Sequence, residues 1–254
     1  MGRRTTYTPG TFCAVDLVTP DREGSKPFYG ELLGWSAEDL SHGYTAFRLD
    51  GALVAGAIEL TVEQQAAGSP PAWTTYVRVD DAAVTAARVT ELGGSLVGEV
   101  FDIPEAGRGV AFADRQGAVL LAWEARGFEG AELVNESGAW AWNDLQTPDP
   151  DAAVPFYEAL FEWDIEPVEE SGGVYWTIAN DGRTIGGVMR STQTPRPFWT
   201  VYFGVDDIDA ALERVATGGG TTLLEPIAVP AGRFAMALDP QGASVCFVEG
   251  DFDE

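Results

Sequence analysis

Basic side chains are scarce in this chain: 15 lysines and arginines stand against 40 aspartates and glutamates, a formal charge of −25 over 254 residues. A surface of that sign repels phosphate backbones and anionic headgroups, so neither nucleic acid nor a membrane surface is an expected partner. Cysteine is limited to Cys13 and Cys246. Both sit among apolar neighbours, which points to free buried thiols and not to a disulfide framework. Long apolar runs are missing, so no spanning helix is expected. Residues 1–6 carry two arginines without an apolar run behind them, which excludes a signal peptide and makes the cytoplasm the expected address. Histidine occurs once, as His42 in a loop stretch, where a solvated side chain is the expectation.

What the chain does have is a repeat. Trp-Thr-Thr-Tyr-Val-Arg-Val-Asp-Asp at 73–81 returns as Trp-Thr-Val-Tyr-Phe-Gly-Val-Asp-Asp at 199–207. Upstream of each copy lies a Phe-Tyr segment ending in tryptophan, Phe28 to Trp35 and Phe156 to Trp163. Downstream of each lies a turn, Asp114-Arg115-Gln116-Gly117-Ala118 and Asp239-Pro240-Gln241-Gly242-Ala243. Three landmarks in the same order mean two copies of one module, and an internal repeat outranks any single motif. The expected division is a first module over 9–125, a polar, glycine-containing linker over 126–138 and a second module over 139–250.

Within each module the pattern reads strand, helix, then strands, twice over. Phe12–Val18 is an expected strand; Asp21 is placed to cap a helix that Gly34 stops. Pro27 and Pro155 stand six positions after the caps Asp21 and Asp149 and are expected to bend those helices or delay their start. Asp50-Gly51 and Asp181-Gly182 between apolar runs are hairpin signatures. Thr61–Pro71 reads as a loop, shortened in the second copy to Ser191–Pro197. Asp80 or Asp81, and Asp206 or Asp207, are placed to cap a second helix, and three short strands close each half.

That ordered and doubled set of motifs resembles the vicinal oxygen chelate superfamily, which includes glyoxalases, bleomycin-resistance proteins and extradiol dioxygenases. The resemblance implies an α+β fold of tandem modules, each a pair of βαβββ units whose curved mixed sheet encloses a pocket, with a divalent metal in the catalytic members. The family's ligand positions, carried over by place, fall on Ala14, a site near Glu59, Thr74 and Leu121, and on Trp142, a site near Arg190, Thr200 and Cys246. Such a metal asks for imidazole or carboxylate, which this set hardly offers, so no metal and no cofactor is expected. A slip of a residue would bring Asp16, Asn143 or Asp144 nearer to a ligand place.

Other chemistry is then expected of the pockets. Alternation along a strand puts Thr74, Tyr76 and Arg78 on one side, as it does Thr200, Tyr202 and Gly204. Asp16 and Asp144 share that side. The expected catalytic set is therefore Asp16 with Tyr76 and Asp144 with Tyr202, each a carboxyl raised by burial beside a phenol donor. Against it stands the plainer reading that these acids and phenols only satisfy one another in the core. Arg78, Arg190, Glu59, Trp123, Trp142 and Trp176 are the expected ligand-binding residues, the indoles as stacking surfaces. Trp142 either plugs the second pocket or walls it.

Two functions remain open. One is a metal-independent protein that sequesters or carries an aromatic or polycyclic small molecule. The other is a metal-independent enzyme, an isomerase, cyclase, hydratase or lyase acting on a carbonyl compound through Asp and Tyr. Because the two modules supply the pairing that single-module relatives obtain by dimerising, either a monomer or a homodimer is compatible.

Overall fold

The computed structural model describes residues 2–169, 172, 174–191, 196–229 and 232–250, apart from the side chain of His42. In chain order the first module comprises β1 (Phe12–Thr19), α1 (Arg22–Leu33), β2 (Ser36–Asp39), β3 (Tyr44–Leu49), β4 (Ala52–Glu59), α2 (Val62–Ala66), β5 (Ala72–Arg78), α3 (Ala82–Glu91), β6 (Ser95–Leu96), β7 (Phe101–Ile103), β8 (Gly107–Ala113) and β9 (Val119–Ala125). The second comprises β10 (Trp140–Thr147), α4 (Pro150–Phe161), β11 (Asp164–Pro167), β12 (Tyr175–Asn180), β13 (Arg183–Arg190), β14 (Phe198–Gly204), α5 (Ile208–Thr217), β15 (Thr221–Val229), β16 (Gly232–Leu238) and β17 (Ser244–Gly250).

Each module is one mixed sheet, ordered β2-β3-β4-β1-β5-β9-β8-β6 in the first and β11-β12-β13-β10-β14-β17-β16-β15 in the second. The first strand of each runs parallel to the fourth and antiparallel to the fifth. Two βαβββ units thus meet side by side in each sheet, the architecture that the resemblance implied. No helix among the described residues is long and apolar enough to cross a membrane.

Local chemistry explains most of these elements. Asp21 accepts from Gly24 N at the start of α1, and Gly34 closes it in the left-handed conformation at φ 77°. Both proline-bearing helices nevertheless begin at full length, at Arg22 and Pro150, so neither start is delayed. The hairpin turns are as the Asp-Gly pairs require, with positive φ at Asp50, Gly51, Asp181 and Gly182. Thr61–Pro71 departs from expectation: Thr61 and Gln64 form a reciprocal capping box that supports the short helix α2. Of the shorter counterpart loop at Ser191–Pro197, residues 192–195 lie outside the described residues.

The repeated motifs hold the two modules together. Tyr29 on α1 donates from its hydroxyl to Asp239 Oδ2 of the second module at 3.0 Å, and Tyr157 on α4 donates to Asp114 Oδ2 of the first at 3.0 Å. Each phenol oxygen also accepts an indole N–H, from Trp73 and Trp199 respectively. The tryptophans closing the Phe-Tyr segments reach across as well, Trp35 to Gly138 O and Trp163 to Gly10 O, both at 2.6 Å. Phe12 packs on Trp163 and Trp199, and Trp73 on Phe203. Residues 126–138 contribute no strand to either sheet, only the isolated bridges at Leu133 and Ser137.

Replacing Tyr29 or Tyr157 by Phe leaves a buried carboxylate oxygen and a buried indole N–H unpaired. The expected loss is about 2 to 4 kcal/mol of unfolding free energy per site, measured by urea denaturation, because each orphaned buried polar group costs roughly 1–3 kcal/mol.

Candidate functional site

Each sheet has two unlike faces. Val15, Leu17, Val77, Leu120 and Ala122 point into the main core with the helices, while Ala14, Tyr76, Leu121 and Trp123 form a separate cluster on the other side. A register shift between Phe12 and Ala14, repeated between Trp140 and Trp142, re-aims the start of the first strand in each module. The face turned from the helices is the cup.

Asp16 lies on the floor of the first cup, paired across the strands with Thr74 and with Gly56. It is 4% exposed. Tyr76 donates to its Oδ2 at 2.7 Å and Tyr44 to its Oδ1 at 2.9 Å. The second cup repeats the arrangement. Asp144, also 4% exposed, accepts from Tyr175 at 2.8 Å and from the Trp142 indole N–H at 2.9 Å, and Tyr202 is its third donor. The pairs Asp16 with Tyr76 and Asp144 with Tyr202 are therefore brought together as the strand alternation suggested.

Tyr44, Tyr175, Gly56 and Gly187 belong to the same clusters and escaped the sequence reading. Each tyrosine opens the third strand of its βαβββ unit, so only comparison of the repeats could have flagged it. The glycines are explained by space: a Cβ at Gly56 would overlap Tyr44 Oη and Asp16 Oδ1, and one at Gly187 would overlap Tyr175 Oη and Asp144 Oδ1. A carboxyl can thus meet a phenol over this strand only where the side chain is hydrogen.

Burial raises the pKa of Asp16 and of Asp144 above the ordinary carboxylate range, and the hydrogen bonds from the phenols only partly oppose it. Burial, then the neighbouring carboxyl charge, drives Tyr44, Tyr76, Tyr175 and Tyr202 upward, so all four remain neutral donors. Burial also pushes up Cys13 and Cys246, which keeps both thiols protonated.

Other expected site residues are dispersed. Trp123 is buried, donates its N–H to Phe128 O at 2.8 Å and packs on Tyr76 and Phe128. Arg78 is half-buried on the cup face and donates to Val79 O. Trp176, Arg190 and Glu59 lie away from the two acids. Trp176 pairs with Val188, Arg190 with Thr147 and Glu59 with Thr19, all on the helix-side face, one residue out of phase with Asp144 and Asp16. There Arg190 lies over the Trp176 ring at 5.4 Å and meets Asp151 at 3.3 Å. Of the other tryptophans, Trp73, Trp140 and Trp199 are buried in the main core.

Beside Asp16, the space bounded by Ala14, Tyr44, Leu53 and Phe128 has no room for a water molecule. A cleft of about 440 Å³ adjoins it, between the N-terminal arm at Arg3–Tyr7 and the linker at Gly127–Glu132.

The comparisons with known proteins agree with this geometry. Residues 12–121 match the Glyoxalase/Bleomycin resistance protein/Dioxygenase superfamily, and residues 130–248 match a glyoxalase-like domain. A Mycobacterium tuberculosis protein provisionally named glyoxylase CFP32 is 39% identical, over 96% of both chains. The anthracycline biosynthesis protein DnrV of Streptomyces peucetius is 34% identical over 96% of this chain and 95% of its own. DauV of Streptomyces sp. strain C5, also an anthracycline biosynthesis protein, is 33% identical with the same coverage. Among solved structures, the Mn(II)-bound glyoxalase from Novosphingobium aromaticivorans superposes with a TM-score of 0.66 at 16% identity, covering 100% of this chain and 86% of that one. The chain belongs to the glyoxalase/bleomycin resistance protein/dioxygenase superfamily, in two tandem modules.

Among the described residues, the places that the family's ligands occupy offer the divalent metal of its catalytic members no suitable donor set. The ligand places hold Ala14, Thr74 and Leu121, with a fourth near Glu59, in one module and Trp142, Thr200 and the protonated thiol Cys246, with a fourth near Arg190, in the other. The acid on the floor of each cup, Asp16 or Asp144, has its oxygens taken by O–H and N–H donors. Among the described residues no three His, Cys, Asp or Glu side chains gather as a metal site would require.

Two outcomes test the cluster. Gly56→Ala or Gly187→Ala is expected to lose about 1–3 kcal/mol of stability through the forced overlap, read from denaturant midpoints. For pH, a folded-state carboxyl above its unfolded value of 3.8 binds extra protons in the native state, so its contribution is present below that value and lost as pH rises through the folded pKa. Asp144→Asn is accordingly expected to lose less stability than the wild type as pH rises above about 4, measured by thermal unfolding along a pH series.

Proposed function

We propose that this chain is a metal-independent member of its superfamily that binds an aromatic or polycyclic small organic molecule in a cup. The carrying observation is the doubled cluster of one buried carboxyl among neutral phenols, standing beside the places where a chelating relative would need charged donors. A pocket of this kind, mostly apolar with a few fixed polar groups, suits an uncharged organic guest better than an ion. The two anthracycline biosynthesis relatives, similar over nearly their whole length, support a hydroxyanthraquinone as the guest class. An acidic exterior argues against nucleic acid and membrane lipid as alternatives. Sequestration or carriage in the cytoplasm is the role that this chemistry supports best.

A second reading has its own support. A carboxyl raised by burial, next to phenols that stay protonated, is a general base paired with hydrogen-bond donors for a carbonyl oxygen. On that reading Asp144→Asn keeps its affinity and loses turnover.

The test is a titration of the full chain with 1,4-dihydroxyanthraquinone in the presence of EDTA, followed by quenching of tryptophan fluorescence. Saturable binding with a Kd on the order of micromolar, unchanged when the chelator is omitted, is the expected result. No binding, or binding that appears only when Mn²⁺ is added, would overturn the proposal.

A further inference from the structure

The two cups are not equivalent, and on the reading that the protein takes an aromatic guest their differences assign it to one of them. Strand register aligns the row Ala14–Tyr76–Leu121–Ala111 with Trp142–Tyr202–Cys246–Met236. The next row aligns Arg78–Trp123–Gly109 with Gly204–Val248–Phe234. The first cup is closed from within. Trp123, 1% exposed, is tied by its N–H to the backbone of Phe128, whose ring meets the indole edge-on at 5.8 Å. Tyr7 of the N-terminal arm fixes the same strap by donating to Ala131 O at 2.6 Å. Water itself has no room beside Asp16.

In the second cup the positions matching Trp123 and Arg78 are smaller, while Trp142, Phe234 and Met236 stand where the first cup has Ala14, Gly109 and Ala111. Val248 stands in the place of Trp123 and Gly204 in that of Arg78. Val248, Phe234, Met236 and Trp142 are each only partly buried, so apolar surface remains uncovered on that face. The polar floor is also unfinished there. Thr200, paired with Asp144 and 3% exposed, has a buried hydroxyl with no hydrogen-bond partner among the described residues. A buried polar group in that state calls for a partner that the described residues do not supply.

We propose that the second cup alone takes the guest, with its flat ring against Trp142 and facing Met236 and Phe234, and with a hydroxyl or carbonyl oxygen at the ring edge bonded to Thr200 Oγ1. A threonine hydroxyl both donates and accepts, so either oxygen satisfies it. Asp144 is already engaged by three donors and serves to position Trp142 and Tyr202. The first cup is a closed copy, plugged by Trp123 and Phe128, that contributes structure to the pair.

The experiment titrates 1,4-dihydroxyanthraquinone into the full chain and into Val248→Trp, Gly204→Arg, Thr200→Val and Trp123→Val, with circular dichroism confirming the fold of each. The wild type is expected to take one equivalent per chain. Val248→Trp and Gly204→Arg, which put the first cup's larger side chains into the second, are expected to weaken binding more than about tenfold by steric exclusion. Thr200→Val, nearly isosteric and informative even if a bulkier variant fails to fold, is expected to weaken it about 3- to 10-fold through one lost hydrogen bond. Trp123→Val is expected to change it less than about twofold, as a site without contact to the guest should. Two equivalents per chain, or undiminished affinity in both Val248→Trp and Thr200→Val, would overturn the assignment. Absence of binding to the wild type would instead remove the underlying reading of an aromatic guest.

Discussion

The structure depends on a pair of crossed hydrogen bonds, Tyr29 to Asp239 and Tyr157 to Asp114. Each joins a helix of one module to a turn of the other, deep in a shared core where water cannot substitute for a lost partner. Around them the same aromatic side chains meet in mirrored order: Tyr29 stacks on Trp35 as Tyr157 stacks on Trp163, and each meets its strand tryptophan edge-on. The turn is pre-formed for this task. Asp114 Oδ1 accepts from Gln116, Gly117 and Ala118, which leaves Oδ2 aimed at the phenol. Gln116 continues across to the backbone of Asp149 and the hydroxyl of Thr147, at the start of α4.

The pairing frees the opposite face of each sheet. With the helix side committed to the partner module, the strand residues of the other phase are left to form cups, and there each module places one acid among phenols. Two demands on one strand are thereby met by alternation: on β5, Trp73 and Val77 serve the pair while Tyr76 serves the cup. The glycine opposite each acid is the local condition that lets carboxyl and phenol meet. From this point the modules diverge. A tryptophan on the last strand closes the first cup, and a tryptophan on the first strand stands at the edge of the second.

Much of this was legible in the residues alone. The repeat, the hairpins at Asp-Gly, the helix caps and the two-module α+β fold follow from motifs whose physics is local or whose doubling is plain. Asp16 with Tyr76 and Asp144 with Tyr202 were legible because they sit on adjacent strands at matching phase. Tyr44 and Tyr175 were not, since they arrive from a hairpin strand whose register no local rule fixes. Trp176, Arg190 and Glu59 lie on the face away from the acids, where a one-residue change of phase moves a side chain to the other side of a sheet. The short strands β2 and β11, polar and mostly exposed, gave no apolar pattern to find. Nor did the motifs reveal their own purpose, because the Phe-Tyr segments and the Asp-x-Gln-Gly-Ala turns serve contact between modules, which no single module's pattern displays.

The most direct measurement of the central claim is a crystal structure of the full chain grown with both 1,4-dihydroxyanthraquinone and Mn²⁺ present. The account requires planar density in a cup beside the acid and phenol cluster, with no cation bound by the protein. A manganese ion coordinated by Asp16 or Asp144, with the phenols turned away to admit it, would contradict it.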